Sequence, residues 1–171
     1  MAVRFPAGFV IEAMRPADVD AVLKVQGEAY AGIDVLEDAG LFLNRIQLSP
    51  DTCWVARGPE GVRGYLVSYP WPLPGPPPEL NVPLPALLPN ARGWFLHDCA
   101  VSPAAAGQGV GAALVRTGLA HARRAGLACA MLVSLAPALG YWKRMGFETV
   151  QAEPGSLEGY GPGACLMRRA L

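Results

Sequence analysis

Residues 94–124 read WFLHDCAVSPAAAGQGVGAALVRTGLAHARR, and the reading of this stretch decides the fold. Trp94 to Val101 is apolar and aromatic, the composition of a buried strand. Ser102-Pro103 ends it. Gly107, Gly109 and Gly111 then lead into an alanine- and leucine-rich helix that stops at Arg123, Arg124 and Gly126. Cations suit a last helical turn, and glycine suits the position just past it. A strand feeding a helix through a glycine-rich turn offers an anion site, because the first helical N–H groups lack internal partners and carry roughly half a positive charge. Glycines at alternate positions let a diphosphate approach the backbone. The same turn serves equally well as a tight connection that binds nothing, so the neighbouring residues must decide.

One competing pattern is Gly107-x-Gly109-x-x-Ala112, which fits the dinucleotide fingerprint G-x-G-x-x-G/A. That fingerprint expects an acidic residue about 20 positions further on to hold a ribose. No carboxylate occurs between Asp98 and Glu148, which leaves the fingerprint without its partner.

The rest of the chain is consistent with one domain over residues 1–171, long enough for a good core. Fourteen Lys and Arg balance fourteen Asp and Glu, so nucleic acid is not an expected partner. No apolar run approaches the roughly 18 residues of a membrane span, and MAVRFPAGFV lacks a signal-peptide core. A cytoplasmic protein without a membrane partner is expected. Cys53, Cys99, Cys129 and Cys165 show no metal-ligand spacing and fall in strand-like segments. They read as reduced, buried thiols, with no metal implied.

In chain order, residues 9–14 (FVIEAM) read as a strand. Pro16, Asp18 and Asp20 then open a helix that ends near Tyr30 and Gly32. A second helix is expected over 36–48, with Leu41, Phe42, Arg45 and Ile46 at helical spacing. Residues 52–57 and 62–69 flank Gly58-Pro59-Glu60-Gly61 and predict a hairpin. From residue 70 to about 90 the chain carries nine of its 17 prolines, too many for regular pairing. This stretch reads either as a linker-like excursion or as a flap over a site, with Trp71 in its wall. Residues 127–134 form a further strand and 138–145 a short helix. Strands at 147–151 and 164–168, joined by a glycine-rich turn, finish the chain.

These pieces resemble the GNAT superfamily of N-acetyltransferases. Its acyl-CoA motif is a strand ending L-A-V-x-P followed by x-x-R/Q-G-x-G-x-G/A. Cys99-Ala100-Val101-Ser102-Pro103 stands for the first part and Gly107-Gln108-Gly109-Val110-Gly111 for most of the second, with Ala106 where the family has Arg or Gln. Tyr141-Trp142-Lys143-Arg144-Met145-Gly146-Phe147 is similar to the family's tyrosine segment ahead of Gly-Phe. The resemblance covers nearly the whole chain. It implies an α/β (α+β) GNAT fold, with a mixed central sheet of about six to seven strands and about four flanking helices.

The resemblance also implies acetyl-CoA as co-substrate. Backbone N–H groups of Ala106, Gly107, Gln108, Gly109, Val110, Gly111 and Ala112 would hold its diphosphate. Cys99 and Val101, in a strand splayed from its neighbour, would pair with the pantetheine arm. Ser134 stands where the family often has Asn and offers the arm a hydroxyl. Tyr141 would give a proton to the departing thiolate, since a phenol is neutral at pH 7. Three bases remain open: His97, with a reference pKa of about 6.5; Asp98, which a bulge would re-aim from the opposite face; or water alone. Glu28, Tyr30, Tyr69 and Trp71 fall where the fold lines its acceptor pocket. The expected partner is a small-molecule amine or amino-acid-like acceptor, and a homodimer is left open. The alternative, motivated by Ala106 and Ser134, is a non-catalytic module that binds acyl-CoA without turnover.

Overall fold

The strands read from the sequence assemble into one seven-stranded sheet in the computed structural model, which describes residues 6–33, 36–73 and 75–171. Residues 1–5, 34–35 and Pro74 of the proline-rich segment thus lie outside the described residues. In chain order the elements are β1 (Val10–Ala13), α1 (Val19–Ala29), α2 (Ala39–Leu48), β2 (Cys53–Gly58), β3 (Gly61–Trp71), β4 (Gly93–Val101), α3 (Val110–Arg124), β5 (Cys129–Ser134), α4 (Leu139–Arg144), β6 (Glu148–Thr149) and β7 (Cys165–Ala170). The sheet order is β1-β2-β3-β4-β5-β7-β6. All neighbours are antiparallel except β4 and β5, which the crossover helix α3 connects, as a parallel pair requires. Fold class and element order are as expected. Among the described residues no helix is long and apolar enough to cross a membrane.

Local chemistry sets the helix starts. A single 3-10 turn at Pro16–Asp18 leads into α1, and the Arg15 N–H donates to Asp18 Oδ2 at 2.9 Å. Asp38 caps α2 by accepting from the Leu41 N–H at 3.0 Å. The cap places the helix start three residues later than the periodicity suggested. Glu37 is thereby left outside the helix, and it is buried.

Helix α3 packs on one sheet face over Leu66, Trp94 and Leu132, while α1 and α2 cover the other over Val55 and Tyr65. Helix cover is thin over the part of that second face formed by Tyr69, Phe95, Met131 and Leu166, where among the described residues α2 contributes only Leu48. There Leu84 of the proline-rich segment completes the cluster. Several side chains pin this segment. Asn44 bonds Leu84 in both directions, at 2.9 and 2.8 Å, and the Trp71 indole N–H donates to Pro76 O at 3.0 Å. Prolines offer carbonyls without N–H groups, so side-chain donors replace ladder bonds.

Several boundaries shift from the sequence reading, two of them in ways that matter here. Strand β3 continues past Tyr69 through Pro70 and Trp71, paired with Trp94 and Gly93, so Trp71 belongs to the strand and not to the loop after it. The strand expected at 147–151 shortens to Glu148–Thr149, because only these residues pair with β7.

Glycine at 118 lets α3 approach the sheet. A Cβ there would stand 2.5 Å from Trp94 Cζ2 and 3.0 Å from Leu66 Cδ2, whereas one at Gly27 of α1 meets nothing within 4 Å. Gly27→Ala is therefore expected to stabilise the fold by about 0.5–1 kcal/mol. Gly118→Ala should destabilise it by roughly 1–3 kcal/mol despite the same gain in helix propensity. Urea denaturation midpoints of the two variants test this, and equal shifts would refute the packing argument.

Candidate active site

Strands β4 and β5 pair only at Gly93↔Cys129, Trp94↔Ala130 and Phe95↔Met131. Beyond Phe95 they part, and a cavity of about 510 Å³ opens between them. The other edge of β4 shows the local cause. Val67 pairs with Asp98 and Ser68 with Leu96, leaving His97 as an extra residue. Such a bulge bends its strand and increases the local twist. It also breaks the alternation of faces. His97 contacts Tyr69 and Glu37, and Asp98 contacts Tyr30 and Tyr65. Both side chains thus turn toward the α1–α2 side, and both line the cavity.

At one end of the cavity stands the mouth of α3. Gly107 and Gly109 adopt φ of 75° and 80°, a conformation that strains any residue with a Cβ. The first N–H of this turn and helix to find a protein acceptor is that of Ala113, on Gly109 O at 3.0 Å. Among the described residues the six amides from Gly107 to Ala112 find none. The Ala106 N–H is different: it donates to Pro103 O at 3.2 Å. Unlike the six that follow, this N–H is already used within the protein. Ala106, Gly107, Gly109, Val110, Gly111 and Ala112 line the cavity, whereas the exposed Gln108 side chain does not.

Tyr141 of α4 lies beside this mouth. A Cβ at Gly111 would come within 3.2 Å of its hydroxyl oxygen and 3.4 Å of Val101 Cγ2, so a larger residue there would crowd the phenol. The hydroxyl is buried and, among the described residues, has no hydrogen-bond partner. An unmet buried hydroxyl costs about 1–3 kcal/mol, which a bound acceptor would recover. Burial, reinforced by Cys99, pushes this phenol up to about 12. Cys99 and Val101 also line the cavity. Ser134 does not: its hydroxyl donates to Leu135 O at 2.9 Å, and the cavity wall there is Leu132, Val133 and Leu135.

The opposite end is polar and acidic. His97 Nε2 lies 2.5 Å from Glu37 Oε1, and His97 Nδ1 lies 2.9 Å from the Tyr69 hydroxyl. Glu37 Oε2 accepts from Arg45 at 3.3 Å. The Glu37 backbone is clamped at both N–H and C=O by the Gln26 amide, at 3.0 and 2.9 Å. Side-chain exposures of 1%, 2% and 6% for Arg45, His97 and Glu37 make this a buried charge pair with an imidazole attached. Burial alone would push the Glu37 carboxyl up, but bonding to His97 and the charge of Arg45 hold it below its ordinary range. Asp98 accepts from Tyr30 and Tyr65 hydroxyls, each at 2.6 Å, yet burial outweighs both and pushes its carboxyl up. Two carboxylates in one cavity are thus driven in opposite directions.

Of the residues expected to line an acceptor pocket, Tyr30 does. Tyr69 sits behind His97, and Trp71 is turned to the proline-rich segment. Glu28 accepts from the Ser102 hydroxyl at 2.7 Å, tying α1 to the start of the glycine-rich turn, and does not face the cavity. The structure adds Glu37, Leu80 and Tyr160 to the wall. Sequence reading missed Glu37 because it was placed inside the helix. Recognising Asp38 as the cap would have set it free. No local signal marks Leu80 or Tyr160. Among the described residues no cluster of His, Cys, Asp and Glu could hold a metal.

The sequence matches the acetyltransferase (GNAT) family over residues 20–147. The chain belongs to this family. Its fold is similar to that of Ard1 from Thermoplasma volcanium, with a TM-score of 0.76 at 17% identity over 96% of this chain and 99% of the other. Naa50 from Arabidopsis thaliana, solved with the bisubstrate analogue CoA-Ac-MVNAL, gives a TM-score of 0.71 at 11% identity, over 96% and 100% of the two chains. A GNAT family acetyltransferase from Brucella melitensis, solved with acetyl-CoA, gives 0.58 at 25% identity, over 82% of each chain. No curated protein matches significantly. This GNAT acetyltransferase thus has the family's sheet, with the cavity at the parting of β4 and β5.

The Glu37–Arg45 pair gives this GNAT protein a pH signature. A carboxyl held low in the fold contributes stability that is present above its unfolded value of about 4.3 and lost as pH falls through the folded value. Glu37→Gln should cost about 3–5 kcal/mol at pH 7, since it leaves Arg45 buried without its counter-charge. The gap between wild type and variant should close as pH falls below about 4. Urea denaturation between pH 7 and pH 3 measures it, and a gap that stays constant would show that charge is not its origin.

Proposed function

We propose that this acetyltransferase moves the acetyl group of acetyl-CoA to the primary amine of a small molecule by direct attack on the thioester. The observation that carries the reading is the pairing of free donors at one end of a single cavity with carboxylates at the other. Six amides without protein acceptors, beside a buried phenol that lacks a partner, suit a diphosphate and a departing thiolate. Around Cys99 and Val101 β4 is paired with β3 but has no partner on its β5 edge, which offers backbone groups to the pantetheine arm as an added strand would find them. Tyr141 is neutral at physiological pH and so holds the proton that the thiolate takes when the carbon–sulfur bond breaks.

The carboxylate end receives the amine. Glu37, held in its ionised form, attracts the ammonium group. Asp98, whose proton affinity is raised, accepts a proton from it directly or through water, and the neutral nitrogen then attacks the thioester carbon. His97 has both ring nitrogens committed. Nε2 faces Glu37 and Nδ1 faces the Tyr69 hydroxyl, so neither nitrogen is free toward the cavity. His97 is therefore assigned as a positioning residue for Glu37.

Thiol release from acetyl-CoA with a panel of amines tests the reading. Tyr141→Phe should lower kcat on the order of 10²-fold while CoA affinity changes little. Gly109→Asp should weaken CoA binding, because it puts a carboxylate among the amides and a Cβ at positive φ. Asp98→Asn should remove the acidic limb of the kcat/KM profile, and His97→Gln should keep it. Undiminished thiol release by Tyr141→Phe, or a limb that disappears only with His97, would overturn these assignments.

A further inference from the structure

We infer that the acceptor is a small amine with an apolar body and no carboxylate beside its amino group, so that free α-amino acids and peptide N-termini are both poor substrates. This rests on the transferase reading above and narrows it.

The charge argument starts from Glu37 and Asp98. Both line the acceptor end, and the charge of Glu37 is among the influences acting on Asp98, so the two carboxylates share one electrostatic environment. An ammonium group placed between them neutralises that field. A substrate carboxylate on the adjoining carbon would enter the same field with the wrong sign. The nearby cation is Arg45, which does not line the cavity and whose nitrogen without a partner among the described residues, Nε, is buried. It is 1% exposed, stands behind Glu37, and donates to Glu37 Oε2, Leu41 O and Val82 O. His97 offers no free donor either, since its two nitrogens face Glu37 and Tyr69.

The size argument comes from two loops that meet over this end. Tyr160, in the glycine-rich stretch between β6 and β7, donates its hydroxyl to Pro78 O at 2.7 Å, and this bond is buried. Leu80, two residues beyond Pro78, and the Tyr160 ring both line the cavity. The clasp joins segments 82 residues apart in the chain. It sits on a backbone already pinned by Asn44 at Leu84 and by Trp71 at Pro76. The cavity of about 510 Å³ must also admit the pantetheine arm. What remains fits a compact apolar group against Leu80, Tyr30 and Tyr160, whereas a peptide would have to pass its main chain beneath the clasp.

Matched acceptors separate the two arguments. Thiol release from acetyl-CoA is measured with 2-phenylethylamine, phenylalanine, phenylalanine amide and a phenylalanine-led tripeptide amide. The amine should exceed phenylalanine in kcat/KM by at least about 10²-fold. Phenylalanine amide, which keeps nearly the same shape without the charge, should stay within about tenfold of the amine. The tripeptide should be poor with wild type and improve relative to the amine in Tyr160→Phe, which loses the clasp and keeps the ring. Phenylalanine within tenfold of 2-phenylethylamine would overturn the charge argument, and a tripeptide equal to the amine would overturn the clasp. Either result leaves the transferase reading standing. Thiol release with none of the four acceptors overturns that reading and this inference with it.

Discussion

The single extra residue in β4 is the constraint on which the site depends. Without it, His97 and Asp98 would face opposite sides of the sheet, and β4 would have no local reason to turn from β5. With it, two polar side chains share one wall, and the parallel pairing ends after Phe95↔Met131. Parting two central strands leaves backbone groups unpaired in the middle of a fold, a costly arrangement unless something else bonds to them. The cavity is where that unmet capacity is collected.

The two ends of the cavity are electrostatically opposite, and each is built by different means. At the mouth of α3 oriented amides supply a positive potential, to which Arg116 and Arg144 add beside Tyr141. The part that comes from the amides needs no counter-charge in the protein and cannot titrate. At the other end the field comes from two carboxylates, one held more acidic by His97 and Arg45 and one made more basic by burial. On the proposed function, ends of opposite sign on one cavity would orient a negatively charged donor and a positively charged acceptor head to head, the geometry that acyl transfer between them needs.

The proline-rich segment shows how a stretch without ladder donors can still be fixed. Its carbonyls take bonds from Trp71, Asn44, Arg45 and Tyr160, side chains drawn from both neighbouring and distant parts of the chain. Leu84 gives it a foot in the core. The result covers a sheet face that α2 reaches only through Leu48, and through Leu80 it supplies part of the cavity wall.

The sequence by itself determined the element order, the glycine-rich mouth of α3 and the place of Tyr141, because each is a local property. Strand composition, helix punctuation and positive-φ glycines are written within a few neighbouring residues. It also identified His97 and Asp98, though not the direction each faces, since a bulge is decided by the pairing of β4 with β3 and leaves no mark in β4 alone. Only the tertiary structure brought Glu37 from before α2 to His97, set Arg45 behind it, closed Tyr160 on Pro78, and turned Glu28, Ser134 and Trp71 away from the cavity. These contacts join residues that are mostly far apart in the chain. Which buried polar group meets which partner is settled by packing, and composition and periodicity carry no record of it.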